Sequence, residues 1–233
     1  MANFNGNNNA NNLIGTAFAD RINARGGNDF VDTGDGDDVV DGGSGNDILK
    51  GGRGNDQMFG GANDDRLNGG DGDDTLDGGT GTDWVDFDGG AAVYADLTAE
   101  VATGQGSDTL INFENVLGSS FADTIKGNAA NNVLDGANGN DTFIATLGAD
   151  TIIGGLGSDT INFSALGSGV TSTLASYSAA GATGTLSGVE NITGSAYADT
   201  LTGDAGDNVI DGGLGDDVIV GGAGIDTAVL SGD

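Results

Sequence analysis

The sequence predicts an all-β fold: a parallel β-solenoid with 18-residue coils, in three repeat blocks joined by two wider spacer coils. Three observations point there. An aspartate followed two places on by an apolar residue returns every nine residues over long stretches. Frames of glycine precede most of those aspartates, and glycine supplies 47 of the 233 residues. The phase of the repeat is broken twice, each time by a segment of the same length.

The first run carries Asp20, Asp29, Asp38, Asp47, Asp56, Asp65, Asp74 and Asp83, with Ile22, Val31, Val40, Leu49, Met58, Leu67, Leu76 and Val85 two positions on. The glycine frame is complete in Gly42-Gly43-Ser44-Gly45-Asn46-Asp47 and in the stretches ending at Asp56, Asp74 and Asp83. A second run goes Asp123, Asn132, Asp141, Asp150, Asp159, and a third Asp199, Asn208, Asp217, Asp226. All three open alike, with Phe18, Phe121 or Tyr197 two residues before the aspartate. Between runs, Asp83 to Glu114 and Asp159 to Glu190 span 31 residues each, which is not a multiple of nine, so wider coils or a break of phase are required there. The blocks are therefore placed at 1–88, 118–163 and 194–233, with spacer coils at 89–117 and 164–193.

Each nonapeptide reads as a tight loop of six residues and a strand of three. Glycine permits the positive φ angles that such curvature needs. The apolar residue sits in mid-strand and points inward between outward polar neighbours. One nonapeptide turns the chain halfway round, so two make a coil, and coils stack about 4.8 Å apart. No helix is expected.

Composition removes several function classes. There is no histidine or cysteine, hence no Ser-His-Asp or Cys-His catalysis, no His/Cys zinc site and no disulfide. A net charge of −30, from 36 acidic and 6 basic residues, repels nucleic acid, whose binding needs Lys and Arg to displace counterions. No run of apolar residues is long enough to span a membrane, so no membrane insertion is expected. Met1 to Asn7 has neither the basic nor the apolar region of a cleaved secretory signal. A glycosidase-type carboxylate pair needs a cleft that a thin solenoid does not offer, so no enzymatic activity is expected.

The ladder aspartates point to a cation. With a period of 18, Asp29, Asp47, Asp65 and Asp83 stack in one column and Asp38, Asp56 and Asp74 in the opposite one. Such columns repel themselves, and six basic side chains cannot neutralise 36 acids. Carboxylates and loop carbonyls make an all-oxygen cage, which suits the irregular shell of Ca²⁺ better than the tight octahedron of Mg²⁺.

Gly-Gly-x-Gly-x-Asp-x-apolar-x resembles the calcium-binding nonapeptide of the repeats-in-toxin (RTX, hemolysin-type) proteins. That resemblance implies a parallel β-roll holding Ca²⁺ between successive loops on each side, with on the order of six to ten ions in all. The ligands it implies are the carboxylates of Asp29, Asp38, Asp47, Asp56, Asp65, Asp74, Asp83, Asp141, Asp150, Asp159, Asp217 and Asp226. With them go carbonyls of the loop glycines: Gly34 and Gly36, Gly43 and Gly45, Gly52 and Gly54, Gly61, Gly70 and Gly72, and Gly79 and Gly81 in the first block. Gly155, Gly157, Gly213, Gly215, Gly222 and Gly224 complete the set. The resemblance also implies type I secretion of an unfolded chain that folds on external calcium, outside the cell or at its surface.

Departures from the frame divide the loops. The aromatic residues before Asp20, Asp123 and Asp199, and the asparagines at 132 and 208, mark loops expected to be weak or empty; the frame is also broken before Asp150 and, at Asn63, before Asp65. The best same-side pairs are 29/47, 38/56, 47/65, 56/74 and 65/83, followed by 141/159. Asp35, Asp37, Asp71, Asp73 and Asp216 read as solvated, Trp84 as a cap on the first block's core, and Glu114 and Glu190 as loop residues. The expected role is a structural, adhesive or self-assembling protein that stacks end to end. The alternative is the non-catalytic carrier module of a secreted protease, lipase or alginate epimerase. Ice binding would need a regular row of threonines, which the sequence lacks.

Overall fold

The computed structural model describes residues 1–229. It contains strands, turns and bends, and no helix among the described residues. The chain forms two compact units, Met1–Ser119 and Ser120 onward. The first unit thus holds the whole first block and its spacer, and the second holds the remaining repeats.

In the first unit, successive strands alternate between two parallel sheets. One sheet stacks Asn3–Asn5, Arg21–Asn23, Val39–Ser44, Gln57–Ala62 and Thr75–Thr80. The other stacks Asn12–Ile14, Phe30–Asp35, Ile48–Arg53, Arg66–Asp71 and Trp84–Asp86. Every pairing is offset by 18 residues, as in Val31 beside Leu49 and Leu49 beside Leu67. The expected coil is therefore present, register included. The strands of the best repeats are six residues long rather than three. The first half of each loop stays in ladder register, Gly34 pairing with Gly52 and Asp35 with Arg53.

The core is one side chain wide. Val31, Val40, Leu49, Met58, Leu67 and Val85 are fully buried, whereas most of their flanking strand residues are half-buried or exposed, Asn68 and Asp86 being the buried exceptions among them. Burying one such side chain contributes about 1.5–3 kcal/mol. Phe4 and Leu13 continue the row, beside Ile22 and Val31. Trp84, by contrast, does not cap the core: it lies half-buried on the outer strand face, in line with Ile48 and Arg66. Its neighbour Val85 takes the inward position, because the strand alternation leaves Trp84 facing out.

The spacers are built differently from simple wide coils. After Trp84–Asp86, three strands fold as an antiparallel meander: Tyr94–Asp96, Val101–Thr103 and Ser107–Ile111. Two reversals restore the original direction, so Ser107–Ile111 pairs in parallel with Thr75–Thr80, 34 residues back. In the other sheet Asn115–Leu117 pairs directly with Trp84–Asp86 at an offset of 31. The second unit repeats this logic. Thr171–Thr173, Ser176–Ala179 and Ala182–Ser187 form its meander, and Ala182–Ser187 pairs with Gly148–Ile153 at the same 34-residue offset. Its repeats keep the 18-residue step, as in Ile125 beside Phe143 and Phe143 beside Ile161, but across the spacer Thr160–Asn162 meets Asn191–Thr193 at an offset of 31 and Thr171–Thr173 meets Thr200–Thr202 at 29.

Candidate metal centre

The ladder aspartates lie at the corner between loop and strand, where each is held by the coil before it. The backbone N–H of Asp29 donates to Oδ1 of Asp47 at 2.8 Å, that of Asp47 to Asp65 at 2.8 Å, and that of Asp65 to Asp83 at 2.7 Å. The opposite column repeats the contact from Asp20 through Asp38 and Asp56 to Asp74. In the second unit it joins Asp123, Asp141 and Asp159, and likewise Asp199 to Asp217 and Asn208 to Asp226.

One carboxylate oxygen is used in this way and the other is not. Oδ2 of Asp29, Asp38, Asp47, Asp56, Asp65, Asp74, Asp83, Asp141 and Asp159 is buried and has no hydrogen-bond partner. A buried anionic oxygen left unpaired is costly, so a row of them marks a missing positive partner. The space beside each is defined by glycine. A side-chain carbon on Gly42 would fall 2.6 Å from Asp47 Oδ2 and 2.7 Å from the Gly60 carbonyl oxygen of the next coil. The crease therefore brings carboxylate and carbonyl oxygens together where no side chain fits. Among the described residues no three acidic side chains converge, so each gap offers two carboxylates and draws its other donors from the backbone.

Loop conformation separates these sites from the others. Four and two residues before an aspartate with an orphaned oxygen, the backbone is left-handed, as at Gly43 (φ 100°) and Gly45 (φ 121°) before Asp47. Arg25, Asn63 and Ala137 adopt the same conformation without being glycine, so the shape is kept even where it strains the residue. Asn63 therefore does not break the loop before Asp65 as its identity implied. Asp217 and Asp226 have the same paired turns, at Gly213 and Gly215 and at Gly222 and Gly224, but are only half-buried.

Burial also sets the electrostatics of the columns. Burial pushes the carboxyls of Asp47, Asp74 and Asp83 up to about 6 and those of Asp56, Asp65 and Asp141 up to about 7, against the pull of the backbone hydrogen bonds. Burial likewise raises Asp29, Asp38 and Asp159. The basic side chains lie elsewhere. Arg66 pairs with Asp86 at 2.8 Å and Lys50 with Asp88 at 3.0 Å, both on the outer strand face.

The family model of the RTX calcium-binding nonapeptide repeat matches residues 5–40, 32–67, 59–93, 117–152, 135–165 and 193–228. The chain belongs to this family. No curated protein matches it significantly. RTX repeats imply binding of Ca²⁺, and the residues present fit that ion: orphaned buried carboxylate oxygens facing backbone carbonyls form an all-oxygen donor set.

Not every RTX loop here has that form. Where the residue four before the ladder position is Thr16, Asn128, Ser195 or Asp204, its N–H donates to the ladder side chain at 2.7–2.9 Å. The hydroxyls of Thr16 and Ser195 add a second bond to Asp20 and Asp199. These loops close on themselves, and they include the Asn132 and Asn208 loops and two of the aromatic ones. Phe18 and Tyr197 themselves are exposed. Asp150 also stands apart: its Oδ2 accepts from the Tyr177 hydroxyl at 3.2 Å and from Thr146 at 3.3 Å. It has left-handed Gly148 but no left-handed residue at Thr146.

One acidic residue, Asp108, escaped the nine-residue count. Asp108 takes Asp74's N–H at 3.1 Å and so extends that column through the meander. Its signal, Gly104-Gln105-Gly106-Ser107-Asp108-Thr109-Leu110, is legible but out of phase. Glu114 and Glu190 likewise accept the N–H of Asp83 and Asp159, each at 2.8 Å. The residue just before the ladder aspartate also has a task. Asp37 and Asp73 are exposed, yet they accept the N–H of Asn55 and Ser107 at 2.9 Å, so they are more than solvated charge.

Proposed function

We propose that this chain is an extracellular calcium-binding β-roll module that folds on meeting Ca²⁺ after secretion and then serves a structural or adhesive role. The row of buried, unpartnered Oδ2 atoms carries the reading. The ions would sit between coils at the pairs 29/47, 38/56, 47/65, 56/74, 65/83 and 141/159, with half-buried Asp217 and Asp226 as outlying ligands. Carbonyls of the paired loop glycines, such as Gly52 and Gly54 or Gly79 and Gly81, supply the remaining oxygens. Asp150 is left out of the set, because hydroxyl donors already satisfy it.

Calcium supplies here only charge and cross-linking. It neutralises the carboxylate columns and ties each coil to the next, so its binding free energy becomes folding free energy. Two unit charges one coil spacing apart, about 4.8 Å, repel by about 3 kcal/mol at an effective dielectric constant of 20. Removing that repulsion along a whole column outweighs the contribution of any one aliphatic side chain. Isothermal titration of the chain with CaCl₂ tests the reading: multi-site, cooperative binding supports it, and no heat of binding up to millimolar calcium opposes it.

A further inference from the structure

The two meanders sit at equivalent places in their sheets, yet they treat the column of carboxylates beneath them in opposite ways. In the first unit Thr75–Thr80 receives Ser107–Ile111, which sets Asp108 against Asp74. In the second, Gly148–Ile153 receives Ala182–Ser187, which sets Gly184 against Asp150.

The Gly184 position has no carboxylate, and its space is taken by a ring. Tyr177 is 3% exposed and packs at 5.0 Å from Phe163, and a side-chain carbon on Gly184 would run into its phenol. The Tyr177 hydroxyl donates to Asp150 Oδ2, and Thr146 donates as well. Every oxygen of Asp150 is thus satisfied by the protein, Oδ1 by the N–H of Asn132. This meander closes its column with a phenol.

The first meander does none of this. Asp74 is 2% exposed, and its Oδ2 is buried without a partner, lying in the crease beside Gly69 as Asp56 Oδ2 lies beside Gly51. Asp108 above it is 5% exposed. Gly104 (φ 129°) and Gly106 (φ 155°) give its loop the paired left-handed turns found before the other open aspartates. The N–H of Gly72 donates to the Gln105 carbonyl at 2.9 Å, which locks the two loops in stacking register. Residues 94–116 lie outside every match to the nonapeptide family.

We propose that Asp74 and Asp108 hold a further divalent-cation site, formed between a repeat loop and the antiparallel meander and lying off the nine-residue register. It rests on the calcium reading of the regular loops and extends it: the first meander lengthens the cation column by one rung, whereas the second ends its column with Tyr177. The ion tethers the meander to the repeat block at the point where parallel stacking is interrupted.

The test is the number of ions bound, counted by equilibrium dialysis of the full chain against ⁴⁵Ca²⁺. Asp108→Asn keeps the Oδ1 acceptor for the Asp74 N–H and removes the charge. It should bind one equivalent fewer than the unaltered chain, while Asp216→Asn, at an exposed position of the second unit, should lose none. Hydrogen exchange should show faster opening of residues 101–111 in Asp108→Asn at saturating calcium, with the Leu49 and Leu67 strands protected as before. An unchanged ion count in Asp108→Asn would overturn the proposal while leaving calcium binding by the repeats intact. An unaltered chain that binds no calcium would instead overturn the reading on which the proposal rests.

Discussion

At the scale of single residues, the ladder aspartate has two oxygens with different tasks. Oδ1 accepts a backbone N–H from the coil before, and Oδ2 is left bare in the crease. Asp56→Asn keeps the first task and abolishes the charge needed for the second. Without calcium it should increase the β-structure seen by circular dichroism at neutral pH, because a desolvated carboxylate is replaced by a neutral amide. With calcium it should weaken binding at its two gaps by about tenfold or more, roughly 1.4 kcal/mol each. Asp216→Asn, at an exposed position, should change neither; equal effects at the two positions in a calcium titration would show that net charge alone matters.

The same carboxyls set a pH dependence. In the calcium-free fold, Asp47, Asp56, Asp65 and Asp141 have pKa values of about 6 to 7, against an ordinary 3.8. Between those limits the folded chain carries more protons than the unfolded one, so stability falls as pH rises through that window. In EDTA, lowering the pH from about 7 to about 5 should therefore increase β-structure by circular dichroism. Calcium reverses the sign: its ligands must be deprotonated, so apparent affinity should rise over the same interval.

At the scale of the loop and the strand, the paired left-handed turns are the defining element. Ala137 holds φ 68° before Asp141, at a cost of about 1 kcal/mol that glycine would not incur. Ala137→Gly should stabilise the second block by about that amount in thermal melts with calcium. Gly43→Ala should do the reverse, since its added carbon would also strike the Arg25 backbone. Leu67→Ala opens a hole in a core one side chain wide and should cost about 2–5 kcal/mol. The strand, the inward residue and the 18-residue register were all legible in the sequence, because a period of nine leaves one arrangement that buries the apolar rung. The meanders were not. A change of strand direction leaves no mark in a repeat count, and the turns that make it rest on local contacts such as the Asp96 carboxylate accepting the N–H groups of Thr98 and Ala99. Asp108 was missed for the same reason, its loop being well formed but out of phase. The contact to Asp150 was hidden as well, because Tyr177 reaches it from 27 residues away, through a fold that the period does not describe.

At the scale of the whole chain, the balance lies between a thin core and a charge of −30. One buried aliphatic per nonapeptide is modest stabilisation, and self-repulsion works against the compact state. The central claim, however, is that calcium completes the fold, and far-ultraviolet circular dichroism of the intact chain at neutral pH tests it most directly. The account predicts a largely disordered spectrum in EDTA that turns cooperatively to β on adding millimolar CaCl₂; a full β spectrum in EDTA, with a melting temperature that calcium leaves unchanged, would contradict it.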